Sequence, residues 1–308
     1  MSTPAAVAAP GTLVTPPAVL VRRVRGADAR AWADRVGAWL GLDGVGTLAD
    51  TFPQVYHDEA RAEVLAACAA GEVVAQVAWR RVLLHTAAGP ARAFLIGSVA
   101  TAPAWRGRGL ASRLLREVVA IAQAERGDLC LLWSGQHAFY ARLGFVPAGR
   151  LYEVELRPGS AAPEVPGLRA ARPADLAAIR ELHRARPLRV ERSLADLALA
   201  CTAAPMQIVC LERAGTVAAY ACLGKGADFP GWWHEVGGTD RDVHALLLGA
   251  TAALGLACAG VLVPPYRPDL LAALRAQGAP VHPAPGALRL ALSERGASEF
   301  FVDGLDSV

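Results

Sequence analysis

The stretch Val99-Ala100-Thr101-Ala102-Pro103-Ala104-Trp105-Arg106-Gly107-Arg108-Gly109-Leu110-Ala111-Ser112 sets two glycines between a strand-like run and a long amphipathic one. Glycine allows tight backbone turns that aim several N–H groups at one point. The unpaired amides of the helix that follows, and the positive end of its dipole, face the same place. Such an arrangement suits a phosphate. It is not a P-loop, which needs Gly-Lys followed by Ser or Thr: Gly109 is followed by Leu110, and Lys225 is the only lysine in the chain. It is not a dinucleotide fingerprint either, because GxGxxG from Gly107 would require glycine where Ser112 stands, and three strand-like runs precede the loop. Elsewhere, His234-Glu235 lacks the second histidine of HExxH, since position 238 is Gly238, and Ser98 and Ser134 lack the flanking glycines of a GxSxG elbow. No metal and no serine nucleophile is expected.

These residues need elements to position them. Val21–Val24 reads as a short strand, and Asp28–Leu42 as an amphipathic helix with Trp32 and Trp39 seven apart on one face. Glu63–Cys68, Val73–Leu84 and Ala93–Thr101 read as strands divided by turn-prone Ala-Gly-Glu and Ala-Gly-Pro. Leu110–Arg126 is predicted as a helix whose Leu110, Leu114, Val118, Ile121 and Ala122 form one apolar stripe, ended by Gly127. Leu129–Trp133 is a short buried strand, His137–Leu143 a short helix, and Leu151–Leu156 the last strand of the first half.

In that setting Arg106-Gly107-Arg108-Gly109-Leu110-Ala111 resembles the Arg/Gln-x-x-Gly-x-Gly/Ala motif of the GNAT acetyltransferase superfamily. The family's second mark, a short helix with Tyr before Gly-Phe, is matched by Phe139-Tyr140-Ala141-Arg142-Leu143-Gly144-Phe145, one helix and one strand later. The resemblance covers roughly residues 20–157. It implies that the amides of Arg106, Gly107, Arg108, Gly109, Leu110, Ala111 and Ser112 hold the pyrophosphate of acetyl-CoA. It implies also that the pantetheine arm pairs with Val99, Ala100 and Thr101, where that strand splays from Leu129–Trp133, and that Ser134 lies near the cofactor. Tyr140 would protonate the departing thiolate, a role that offsets charge developing in the transition state. A base for the amine is not marked; His57, Asp58, Glu59 and His85 fall in regions that could face an acceptor.

The second half resembles the family in order of elements. Strands at Leu168–Ala171, Gln207–Glu212, Thr216–Leu223, Trp232–Val236, Gly260–Val263 and Ala287–Leu292 are interleaved with helices, one starting at a Ser193 cap and one at Thr239. Between strand and helix stands Gly237-Gly238-Thr239-Asp240-Arg241-Asp242, whose aspartates would repel a pyrophosphate. The fold class expected is α/β with mixed sheets (α+β): two GNAT-like domains in tandem, each a mixed, mostly antiparallel sheet flanked by helices. The divisions are a tail at 1–20, a catalytic domain at 21–157, a linker at 158–167 and a degenerate domain at 168–308. One acetyl-CoA per chain is expected, with the second half as a wall of the acceptor site.

Composition agrees with this. The 308 residues suit two domains, and 54% hydrophobic against 19% charged is ample for two cores. A net charge of +3 argues for neither nucleic acid nor anionic membrane. Six cysteines without a CxxC read as reduced thiols of a cytoplasmic protein. The uncharged Ala245–Val263 is broken by Gly249, Gly255 and Gly260, so it reads as a buried helix and strand rather than a membrane span. The partners implied are acetyl-CoA and an amine, and pairing into a homodimer is left open. The function expected is an acetyl-CoA-dependent N-acetyltransferase, and the alternative is a CoA-binding sensor without catalysis.

Overall fold

A computed structural model describes residues 18–42, 47–157, 164–226, 228–306 and 308. Most of the N-terminal tail, and positions 158–163 of the linker, lie outside the described residues. The strands are β1 (Val19–Arg25), β2 (Glu63–Ala69), β3 (Glu72–Thr86), β4 (Gly89–Thr101), β5 (Leu129–Leu132), β6 (Val146–Ala148), β7 (Leu151–Leu156) and β8 (Leu168–Ala170). They continue as β9 (Arg189–Val190), β10 (Gln207–Arg213), β11 (Thr216–Leu223), β12 (Trp232–Gly238), β13 (Ala259–Val263), β14 (Val281–Ala284) and β15 (Ala287–Ala291). The first sheet runs β1-β2-β3-β4-β5-β15-β6, with β9 beside the end of β3; the second runs β14-β7-β13-β12-β11-β10-β8. Each is antiparallel except for one parallel pair, β4 with β5 and β12 with β13. The mixed sheets flanked by helices are those expected.

The strands do not all stay in the half that encodes them. Leu151–Leu156, expected to close the first sheet, lies in the second between β13 and β14. In return β15 enters the first sheet between β5 and β6. Both are short strands with mixed apolar and polar faces, so their composition suits either sheet, and the partner is chosen by long-range packing. The helix expected over Asp28–Leu42 is a 3₁₀ turn, Asp28–Trp32, followed by an α-helix, Ala33–Leu40.

The helix Leu110–Ala124 buries Leu110, Leu114, Val118 and Ala122 of the predicted stripe against the first sheet, with Leu115 added and Ile121 left half-buried. In the second half the helix Asp240–Ala253 and β13 take up the long uncharged stretch. Among the described residues no helix is long and apolar enough to cross a membrane. Residues 300–306 and Val308 lie between the halves. Phe300, Val302 and Val308 pack into the core of the first sheet, whereas Leu305 joins Ile179, Leu197 and Tyr220 of the second half.

Candidate active site

β4 and β5 pair only at Ala93–Leu95 with Leu129–Leu131, and β4 then continues to Thr101 without that neighbour. Opposite, β3 slips register between Gln76 and Ala78, and Ser98 takes a φ of +46°, so β4 bulges where the two strands part. The bulge is held by a buried polar chain. Trp32 Nε1 donates to Gln76 Oε1 at 2.7 Å, and Gln76 Nε2 donates to the Tyr56 hydroxyl at 2.8 Å and, at 3.5 Å, to the Ser98 carbonyl. Burial pushes Tyr56 up to about 12. Gln76 was not singled out from the sequence; a lone amide in the apolar run at 73–79 is the signal that could have found this network.

Beyond Thr101 the chain makes a 3₁₀ turn at Pro103–Trp105 and reaches the helix through Gly107 and Gly109, with φ of +77° and +75°. Gly109 is the N-cap, and no side chain caps the helix there. The first donor returning into the helix is the Arg113 N–H, 3.0 Å from the Gly109 carbonyl, so the amides before it are left pointing outward. Arg106 braces the loop by donating to the carbonyls of Thr101 at 3.2 Å and Trp39 at 3.1 Å.

The result is a cleft of about 610 Å³ that brings together Val99, Ala100, Thr101, Arg106, Gly107, Gly109, Leu110, Ala111, Ser112 and Tyr140. Arg108 is not part of its wall; its guanidinium lies 4.6 Å from the Trp105 ring. Ser134 lines an adjoining chamber of about 480 Å³ instead. Leu40, Val99, Gln136 and Tyr140 border both spaces, which makes them neighbours across Tyr140. Trp39, Phe139 and Arg142 also line the cleft and were given no place in the site from the sequence alone.

Tyr140 stands on the helix His137–Ala141, packed edge-on to Phe139 and Phe145 at centroid distances of 4.9 and 6.1 Å. Burial raises its pKa, and a side-chain hydrogen bond with Ser134 works the other way. The second half adds Asp228 and Phe229 to the chamber, and Val308 closes it against β4. None of His57, Asp58, Glu59 and His85 borders either space. His57 Nδ1 accepts from the Glu59 N–H at 3.3 Å, and His85 lies 3.1 Å from Glu191 at the far end of β3. A separate apolar cavity of about 630 Å³ lies between Leu168, Leu176, Met206 and Leu254 in the second half and shares no residue with the cleft.

A strand pair that splays, a bulge, an uncapped glycine turn and a buried tyrosine meet at one cleft. Residues 60–147 match the family model of the acetyltransferase (GNAT) domain. Three solved structures share the fold over both halves. A probable N-acyltransferase from Enterococcus faecalis V583 aligns with a TM-score of 0.67 at 15% identity, over 91% of this chain and 74% of that one. A GCN5-related N-acetyltransferase from Kribbella flavida gives 0.63 at 17%, over 91% and 73%. Eis1 from Mycobacterium abscessus gives 0.58 at 16%, over 89% and 73%. No curated protein matches the chain.

Proposed function

We propose that the protein transfers the acetyl group of acetyl-CoA to a primary amine, with the cofactor in the cleft and the amine in the adjoining chamber. The observation that carries this reading is the meeting of the two spaces at Val99 and Tyr140. The cleft fits the cofactor, because a Cβ at Gly107 or Gly109 would meet nothing within 4 Å, leaving the turn open in front of the helix amides. The amides from Arg106 to Ser112 would hold the pyrophosphate, and the free edge of β4 at Val99–Thr101 the amides of the pantetheine arm. Acetyl-CoA supplies an activated acyl group and a thiol as leaving group.

Tyr140 is suited to hold a proton where the thiolate departs. Like any tyrosine it carries its proton at neutral pH, and the hydrogen bond with Ser134 works against the burial that would weaken it as a donor. The chamber walls do their part by orientation, holding the amine against the thioester. Thiol release should be measured with acetyl-CoA and a panel of phenethylamine, spermidine, an amino acid, an aminoglycoside and peptides with free N-termini or lysines. Tyr140→Phe should lower turnover by roughly 10²–10³ while acetyl-CoA affinity and stability hold. Full turnover by this variant at saturating amine would remove Tyr140 from the mechanism. Acetyl-CoA binding without turnover of any amine would favour the sensor.

A further inference from the structure

The seam between the halves holds three guanidiniums and three carboxylates, Arg80, Arg186 and Arg192 with Glu235, Asp303 and Asp306, of which Arg80 alone is partly exposed. Arg192 grips Glu235 with two bonds of 2.8 Å and Asp306 with bonds of 2.6 and 3.1 Å. Arg80, from β3 of the first half, reaches Asp306 at 2.6 Å. Arg186 donates to Asp303 at 2.6 Å, to the Tyr220 hydroxyl at 2.7 Å and to the Val236 carbonyl; Tyr220 in turn donates to Glu235 at 2.7 Å. Backbone carbonyls of the same segment are held as well, Leu305 by Gln54 Nε2 at 2.7 Å and Gly304 by Lys225 Nζ at 3.1 Å. Burial alone would raise Glu235 and Asp306, but Arg192 holds both below the usual carboxylate range.

His183, Glu235 and Asp303 lie close enough to suggest a metal site. Each is already engaged, His183 Nε2 with the Val190 carbonyl at 2.7 Å and the carboxylates with arginines. The guanidiniums beside them would repel a cation. Nor is the cluster an efficient source of stability, because buried ion pairs often stabilise less than apolar packing of equal volume. What it supplies is position, and the position it fixes belongs to the segment that ends against the chamber.

We propose that this buried cluster is a latch for the acceptor side of the site: Arg80 and Arg192 hold Asp306, and Arg186 holds Asp303, so that Val308 seats on Gly97. Gly97 is the receiving surface. A Cβ there would stand 1.5 Å from the Val308 carbonyl oxygen, so only glycine admits the contact. Gly97 pairs with Ala78 beside the bulge at Ser98, and Val308 forms part of the chamber wall. The arginines and aspartates touch no reacting atom. They are positioning residues, and their role rests on the acyl-transfer reading above.

The test uses the full chain and three variants. Asp306→Asn strips the charge that Arg80 and Arg192 share; Arg80→Gln releases only the tie to the first half, leaving Arg192 on Asp306. Gly97→Ala displaces Val308 without touching the latch. Each should raise KM for whichever amine of the panel is turned over fastest by roughly 10- to 100-fold, with acetyl-CoA affinity unchanged. Arg80→Lys should recover part of the loss. Hydrogen exchange should quicken at Ile96–Val99 in all three, while acetyl-CoA still protects Gly107–Ser112. If exchange at Ile96–Val99 stays slow, or if acetyl-CoA affinity falls in step with acceptor use, the latch is wrong. A wild-type protein that binds acetyl-CoA and turns over no amine would sink the acyl-transfer reading, and the exchange comparison would still decide whether the cluster seats Val308. Should Asp306→Asn fail to fold, Arg80→Gln and Gly97→Ala decide alone.

Discussion

Between β4 and its helix run the eight residues from Ala102 to Gly109; between β12 and the helix Asp240–Ala253 stands Thr239 alone. Both turns follow a strand that outruns its parallel neighbour, since β12 pairs with β13 only at Trp232 and Trp233. The first turn leaves its helix amides open. In the second, the Thr239 hydroxyl accepts from the Asp242 N–H at 3.2 Å, and Asp240 takes the Leu270 N–H at 3.0 Å. Arg267 fills the gap by donating to Asp240 at 2.6 Å and to the Gly238 carbonyl at 3.1 Å. Its glycines serve packing instead, because a Cβ on Gly237 would lie 2.3 Å from the Tyr220 ring, and one on Gly238 2.5 Å from the Ala218 carbonyl oxygen. The same succession of elements can therefore leave the helix amides open or close them off. Loop length and the capping residue decide.

The strongest way to break this comparison is to separate the halves. A chain ending after Arg157 keeps β7 without its sheet and loses β15, so the outer edge of β5 is bared. It should fail to fold cooperatively, by near-ultraviolet circular dichroism and a denaturant titration. A cooperative, acetyl-CoA-binding fragment would show the strand exchange to be dispensable.

Next in size is the contrast between the two turns. Gly109→Asp sets a carboxylate in the open turn at a φ of +75°. Acetyl-CoA affinity should fall by about 100-fold or more, as expected when a charge opposes a phosphate in a tight cradle. Calorimetry on the wild type should count one acetyl-CoA per chain. Two sites per chain would refute the expectation of one cofactor, and an unchanged affinity in Gly109→Asp would place the cofactor outside the first turn.

The smallest effect is electrostatic and belongs to the seam. Burial pushes Lys225 down to about 7, against the pull of Asp228. Above that pH the folded chain has released a proton that the unfolded chain keeps until about 10.4. Lys225 should therefore add stability as the pH rises from 7 to 9. Against it work the buried thiols of Cys130, Cys201, Cys210 and Cys222, which lose a proton near about 8.5 only on unfolding. Compared with the wild type by urea midpoints at each pH, Lys225→Met should lack the Lys225 gain alone. Lys225 is the chain's only lysine, so no other side-chain amine titrates in this range.

What the sequence by itself determined is local. Left-handed glycines spaced one apart, a helix stripe of period 3.6 and a tyrosine before Gly-Phe are written in neighbouring residues, and their geometry follows from backbone sterics and helix periodicity wherever the chain folds. The tertiary structure decided the rest. Leu151–Leu156 and Ala287–Ala291 read as strands but not as members of each other's sheet, and nothing near Asp303 or Asp306 in sequence announces Arg186, Arg192 or Arg80. Strand partners and buried ion pairs join residues more than a hundred positions apart. Their selection rests on the combined packing of both halves and on the cost of leaving any one of those charges buried alone.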